Sequence, residues 1–262
     1  KISGILANVK GHDELAVLSN SFNRMSKGLA ERERLKDTFG RFTNKDLAEK
    51  AMRGELALGG ESKVVTTFFS DIRSFTAISE KLTPGEVVEF LNEYMTRMVK
   101  CVNATHGVVD KFIGDAIMAL FGAPMPLESH RQDAFLAALD MRRTLVRLNA
   151  AFRAEGLPCL RFGIALHSGP VLAGNIGAVS RMEYTVIGDT VNTASRMEGL
   201  CKTYRTDLLL SEEVARAVMG GLPEAAGPAA LQGVRLQFVA EADIRGRTGK
   251  VRLYSDGGLK AV

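Results

Sequence analysis

Two aspartates sit at the ends of apolar runs, where a carboxylate needs a reason to be. Val64-Val65-Thr66-Thr67-Phe68-Phe69-Ser70-Asp71 is a β-branched and aromatic stretch that closes on an acid and then turns polar at Arg73-Ser74. Val109 to Ile113 and Ala116 to Gly122 are further strand-like runs, joined by Gly114-Asp115. Gly-Asp between such runs predicts a tight hairpin, because glycine accepts the positive φ that the turn's twist requires. An Asp there is either a solvated turn residue or a group placed to hold a cation. At the end of a buried strand an Asp is costly unless paired or bound to metal. Together Asp71 and Asp115 point to one divalent-metal site. Hard oxygen ligands with no His or Cys nearby favour Mg²⁺ or Mn²⁺ over Zn²⁺.

A third stretch, Tyr184 to Met197, carries the complementary charge. Gly188-Asp189 supplies a turn, and Thr190 to Cys201 can run as a helix, with Asn192 and Arg196 four apart on one face. An isolated Asn/Arg pair is explained by a solvated helix face. Beside a two-carboxylate metal site it suits phosphate-ester chemistry, Arg stabilising phosphoryl charge and Asn orienting a hydroxyl or ribose oxygen.

The elements that must position these residues are legible in outline. Thr83-Pro84-Gly85-Glu86 has the capping-box pattern that opens a helix, whose apolar face is Phe90, Leu91, Tyr94, Met95, Met98 and Val102. Asp133 to Arg153 reads as a second helix and Leu160 to Leu166 as a strand. His167-Ser168-Gly169-Pro170 then leads to a short strand-like stretch, Val171 to Gly174, and Gly174-Asn175-Ile176-Gly177 resembles a turn. Gly54 to Lys63 and the Ala- and Gly-rich Gly220 to Gly233 read as loops. The order strand, helix, strand, strand, helix, strand predicts an α+β fold of the ferredoxin-like βαββαβ type, an antiparallel sheet with helices on one face. His167-Ser168 has no evident acid partner, which argues against a hydrolase triad.

The leading segment is different material. Leu15, Leu18, Phe22, Met25 and Leu29 follow a 3-4-3-4 spacing, the seam of a helix packed on a partner helix or the face of an ordinary amphipathic helix. In register the seam continues to Arg32, Lys36 and Phe39, with Leu35 the alternative core residue if the phase shifts.

At 262 residues, 46% hydrophobic and 24% charged, the chain has the composition of a soluble globular protein. Its net charge of +4 is spread without a basic stripe interleaved with aromatics, so nucleic acid is a poor partner. Cys101, Cys159 and Cys201 are odd in number and lack CxxC spacing, which argues against a disulfide framework or zinc site and for a reducing compartment. No apolar run approaches the roughly 18 residues that span a bilayer.

Phe69 to Thr76, Lys111 to Asp115 and Thr185 to Arg196 resemble, in order and separation, the three signature blocks of class III nucleotidyl cyclases, over roughly Val64 to Tyr254. The resemblance implies the cyclase variant of the ferredoxin-like fold. It implies that Asp71, Asp115 and the backbone carbonyl of Ile72 hold two Mg²⁺ or Mn²⁺ ions, that Asn192 orients the ribose, and that Arg196 stabilises charge on the α-phosphate. Arg247 falls near the family's triphosphate-binding Lys. Lys111 matches the Lys that reads adenine in adenylate cyclases, where guanylate cyclases commonly carry Glu. Its usual Asp partner is replaced by Thr185, as in a Lys/Thr bacterial subgroup. The family builds each site from two chains, the metal aspartates from one and Lys111, Thr185, Asn192, Arg196 and Arg247 from the other. The expected activity is conversion of ATP to 3′,5′-cyclic AMP and pyrophosphate by a homodimer, the alternatives being a guanylate cyclase or a catalytically silent nucleotide-sensing module.

His12 to Leu15, Ser21 to Met25 and Leu29 to Arg34 resemble the second half of a HAMP linker running into a signalling helix. That implies a partial HAMP linker over 1–30, a signalling helix and connecting loop over 31–58 and a catalytic domain over 59–262. It further implies the cytoplasmic output of an inner- or plasma-membrane receptor, anchored by a segment before Lys1.

Overall fold

The computed structural model describes residues 14–42, 59–178, 181–221, 234–247 and 249–257. The chain divides into two units, Lys1–Ala57 and Leu58–Val262. In the first, helix α1 (Glu14–Phe42) covers the segment with seam spacing. Leu15, Leu18, Met25 and Leu29 are 48% to 66% exposed on it, while Phe22 is half-buried. The side chains of Leu35, Lys36 and Phe39, and residues 1–13 and 43–58, lie outside the described residues.

The second unit begins with strand β1 (Gly59–Ile72), a short helix α2 (Phe75–Ser79) and helix α3 (Pro84–Ala104). The Thr83 side chain accepts from the Glu86 N–H while Glu86 reaches back to the Thr83 N–H, so the expected capping box is formed. Strands β2 (Val108–Ile113) and β3 (Ala116–Phe121) make the expected hairpin, with Gly114 at φ 64°. Helix α4 (His130–Ala154), β4 (Phe162–Ala178), β5 (Arg181–Ile187) and helix α5 (Asp189–Thr203) follow. The described chain closes with β6 (Leu208–Ser211), α6 (Glu212–Met219), β7 (Gln237–Asp243) and β8 (Lys250–Ser255). Among the described residues these strands form one sheet in the order β2-β3-β1-β4-β6-β8-β7, with β5 paired to β4, antiparallel except for β4 against β6. The loop expected over Gly220 to Gly233 lies mostly outside the described residues.

Alternation along β1 sorts its side chains to two cores. Phe68 packs with Phe90, Tyr94 and Met98 of α3, Phe135 of α4 and Val214 of α6. Phe69 and Val65 face the other way, toward Val171 and Ala194. Each such aromatic or aliphatic side chain contributes about 1.5–3 kcal/mol by leaving water. The sheet is therefore covered on both faces, and the expectation of helices on one face is corrected by α5, whose Ala194, Met197 and Cys201 are buried against the side opposite α3 and α4.

Two strand boundaries also differ from the sequence reading. β1 starts at Gly59, inside the segment read as a loop. The strand read over Leu160 to Leu166 does not stop there, and Gly174 to Gly177 is not a turn: β4 runs unbroken through both, pairing with β1 from Phe162 to Asn175. Pro170 fits because on the far side of β4 the partner β6 ends opposite Leu166 and β5 begins opposite Leu172. A residue without an N–H is tolerated where no ladder bond is required.

Candidate active site

The β1–β3 pairing sets Ser70 opposite Ile117, which brings Asp71 at the strand's end beside Asp115 in the hairpin turn. The Asp115 carboxyl is close enough to act on that of Asp71. Burial first, then the Asp115 charge, push Asp71 up to about 6, against Arg73 and the Ile72 N–H. Tyr94, fully buried, lies beneath the pair, and burial raises its hydroxyl well above the usual range. Two carboxylates converging on one place are a donor set that a hard divalent cation satisfies. Among the described residues no group of three or more His, Cys, Asp or Glu forms a closed protein cage. The remaining ligands would come from backbone, water and substrate oxygens, the usual habit of Mg²⁺. The expected set of Asp71, Asp115 and Ile72 therefore fits such an ion.

Arg73, next along, ties this end of β1 to α5. Its N–H donates to the Arg161 carbonyl (2.8 Å), and its Nη2 meets Glu198 Oε1 (2.9 Å) and the Glu198 carbonyl (3.2 Å). The guanidinium passes over Gly163 of β4, where any Cβ would fall inside it. Burial raises Glu198 to about 7 despite Arg73, with Asp71 and Asp115 adding to the rise.

On α5 the other functional candidates face elsewhere. Asn192 and Arg196 are exposed, whereas Thr193, Ala194, Met197 and Glu198 are buried. At 100° per residue, Arg196 and Glu198 lie about 200° apart around the helix. The face toward the aspartates thus carries Glu198, and Arg196 points away. Arg196 Nη1 lies 3.2 Å from where a Cβ of Gly246 would stand, so its guanidinium sits against the loop that carries Arg247. Arg247 Nη1 donates to His167 Nε2 (3.3 Å), and its Nε is 3.9 Å from Asp189 Oδ2. Burial and the neighbouring guanidinium lower His167 to about 4, leaving a neutral ring that accepts from Arg247.

His167 does have an acid neighbour, contrary to the sequence reading: Glu213 Oε2 is 3.8 Å from Nδ1. Ser168 Oγ accepts from Arg131 Nε (3.0 Å) and His167 Nε2 meets Arg247, so no Ser–His pair forms among the described residues.

Lys111 and Thr185 are also brought together. Thr185 Oγ1 donates to Asp110 Oδ2 (3.0 Å), and Lys111 Nζ is 3.6 Å from the same oxygen and 3.2 Å from Glu183 Oε2. Burial raises Asp110 against the opposing pull of Lys111 and Thr185. Burial works to lower Lys111, but Asp110 and Glu183 outweigh it and hold the ammonium above its usual value. Among the described residues no hydrogen bond or ion pair runs from Asp71 or Asp115 to Lys111, Thr185, Asn192, Arg196 or Arg247. Sequence reasoning missed Asp110 and Glu198, and it set His167 aside for want of an acid partner. Only the apolar setting of Asp110 in β2 could have signalled it.

Residues 60–254 match the adenylate and guanylate cyclase catalytic domain, and the chain belongs to that family. It is 38% identical over 216 residues to an adenylate cyclase of Anabaena cylindrica, covering 78% of this chain and 42% of that protein. An uncharacterised protein of Mycobacterium tuberculosis is 43% identical over 215 residues, 82% of this chain and 36% of its own length. The chain thus spans well under half the length of these relatives. Among solved structures, the adenylyl cyclase CyaB from P. aeruginosa is similar at 30% identity and TM-score 0.65, covering 75% of this chain and 95% of that one. The guanylyl cyclase Cya2 is similar at 31% identity and TM-score 0.63, covering 75% and 93%. The fold is accordingly that of the nucleotidyl cyclases, mixed α and β.

Proposed function

We propose that this chain is an adenylate cyclase, converting ATP to 3′,5′-cyclic AMP and pyrophosphate at sites shared between two copies. The observation that carries this reading is the division of α5: Asn192 and Arg196 face away from the Asp71–Asp115 pair of their own chain. They can act with such a pair only if it belongs to a second copy. Similarity to both an adenylyl and a guanylyl cyclase at nearly equal identity leaves the base open, and Lys111 beside Thr185 favours adenine over a guanylate cyclase. A silent sensing module is disfavoured because both aspartates and Arg196 are in place.

In this reading Asp71, Asp115 and the Ile72 carbonyl would hold two Mg²⁺ or Mn²⁺ ions, which when bound would supply Lewis acidity to the transfer. Asn192 of the other copy orients the ribose so that its 3′-oxygen lies in line with the α-phosphorus. Arg196 donates to the α-phosphate oxygens as negative charge builds there. Arg247, held by His167, binds the departing end of the triphosphate, while Lys111 and Thr185 grip the base.

Two further parts of the proposal concern the lead. The exposed Leu15, Leu18, Met25 and Leu29 of α1 favour a parallel helix pair between copies, with residues 1–30 a partial HAMP linker and 31–58 a signalling helix and connecting loop before the catalytic domain. The whole protein would then be a membrane receptor with this part in the cytoplasm. No described helix is long and apolar enough to cross a membrane.

The test mixes two inactive chains. Asp71→Ala and Asn192→Ala proteins, each dead alone on ATP with Mn²⁺, should regain turnover when co-assembled, because one composite site is intact. A mixture that forms heterodimers yet stays dead overturns the shared site. Turnover of GTP in preference to ATP by the unaltered chain overturns the adenylate assignment.

A further inference from the structure

Asp110 has no part in the chemistry proposed above, yet its side chain is only 2% exposed and is placed with care. Consecutive residues of a regular strand point to opposite faces, so Asp110 and Lys111 should not share a neighbourhood. They do because β2 is bulged here: Val109 pairs with Ala119 and Lys111 with Met118, leaving Asp110 as the extra residue. A bulge re-aims a side chain. This one turns Asp110 toward Thr185 of β5, across 75 residues of sequence, with Lys111 Nζ 3.6 Å from the same carboxylate oxygen.

The consequence concerns one proton. A Thr hydroxyl has one hydrogen to give and two lone pairs to receive with. Free, it serves either an amino group or a carbonyl on a base. Here its hydrogen is directed to Asp110 Oδ2 at 3.0 Å, and a carboxylate can only accept. Thr185 is left with lone pairs to offer, while the Lys111 ammonium can only donate. Adenine presents an acceptor at N1 beside a donor at its 6-amino group. Guanine reverses both, a donor at N1 beside an acceptor at O6. A base that sets N1 against Lys111 and its 6-substituent against Thr185 is matched twice as adenine and opposed twice as guanine.

Resting on the adenylate reading above, we propose that Asp110 is a positioning residue for base selection, fixing the Thr185 hydroxyl as an acceptor so that the Lys111–Thr185 pair discriminates against GTP. It also explains how a neutral Thr stands in for a carboxylate at this position: the Thr185–Asp110 couple presents the same acceptor character through a relayed hydrogen bond.

The measurement is the ratio of kcat/KM for ATP to that for GTP, with the Kd ratio for 3′-deoxy-ATP and 3′-deoxy-GTP as a readout independent of turnover. Asp110→Ala frees the Thr185 proton and should lower both ratios by roughly tenfold or more, the scale of one reversed hydrogen bond, mainly by improving GTP. Asp110→Asn keeps an acceptor oxygen for Thr185 and should retain most of the preference. In a Thr185→Val background, Asp110→Ala should change neither ratio further. If Asp110→Ala does not fold, the similarly sized Asp110→Leu makes the same removal. Equal losses for both nucleotides, or ratios unchanged within about twofold, overturn the role of Asp110 while the adenylate reading stands. An unaltered chain that prefers GTP overturns both together.

Discussion

Two clusters in the catalytic unit are built from the same groups and end in opposite states. Arg142 of α4 makes four hydrogen bonds of 2.6–3.1 Å to Asp207 and Asp256, binding the helix to the region just before β6 and just after β8. Every guanidinium edge meets a carboxylate, so the cluster is complete. At the end of β1, Arg73 reaches Glu198 at 2.9 Å, while Asp71 faces Asp115, whose charge works against its ionisation. Arginine and acid in fitted geometry hold elements together, whereas acids set against acids keep a place for an external charge.

The sharpest way to break this contrast is to exchange the expected phenotypes. Asp115→Ala should abolish cyclase turnover, by about 10³-fold or more, since it removes one side of the charge clamp. Its thermal midpoint without divalent ions should be no lower than that of the unaltered chain. Arg142→Ala should do the reverse, destabilising the fold by about 3–5 kcal/mol because two buried acids lose their partner. Activity per folded molecule should survive, as judged by chemical denaturation alongside turnover at low temperature. If Arg142→Ala abolishes activity in the folded protein, the division between the clusters is wrong.

A smaller effect belongs to the far side of the site. His167→Ala leaves Arg247 without its neutral acceptor at 3.3 Å. It should raise KM for ATP by about fivefold, the scale of one hydrogen bond, with kcat changed less. A loss confined to kcat would place His167 elsewhere in the reaction.

The smallest effect is one of stability with pH. Asp71 is raised from 3.8 to about 6 in the folded chain, so between those values the folded state binds a proton that the unfolded state has released. Stability from this group is present below about pH 4 and lost as pH rises through about 6. Metal-free Asp71→Asn protein should therefore be more stable than the unaltered chain at pH 7, by on the order of 1 kcal/mol after solvent screening, with the difference vanishing near pH 4. Millimolar Mn²⁺ should stabilise the unaltered chain and leave Asp71→Asn much less affected.

These contrasts also show which parts of the molecule the sequence could disclose. The β2–β3 hairpin, the capping box and the shared face of Asn192 and Arg196 were legible because each depends on residues within a few positions of one another. The continuity of β4 was not, because Pro170 is harmless only where β6 has ended and β5 has not begun. Nor was Asp110, since strand alternation sends it away from Lys111 and nothing local announces the bulge. Arg73 and Glu198 are separated by 125 residues, and their pairing depends on a glycine in the strand beneath them.

That strand contributes by what it lacks. Gly163 is a notch in the face of β4 over which one side chain passes to reach the helix packed on that face, as a tie-rod lies in a slot. Even a methyl group there closes the notch, and the end of β1 is then uncoupled from α5 although no acid, amide or guanidinium has been altered. The rod also constrains movement: α5 cannot slide along the sheet without dragging the residue that follows Ile72.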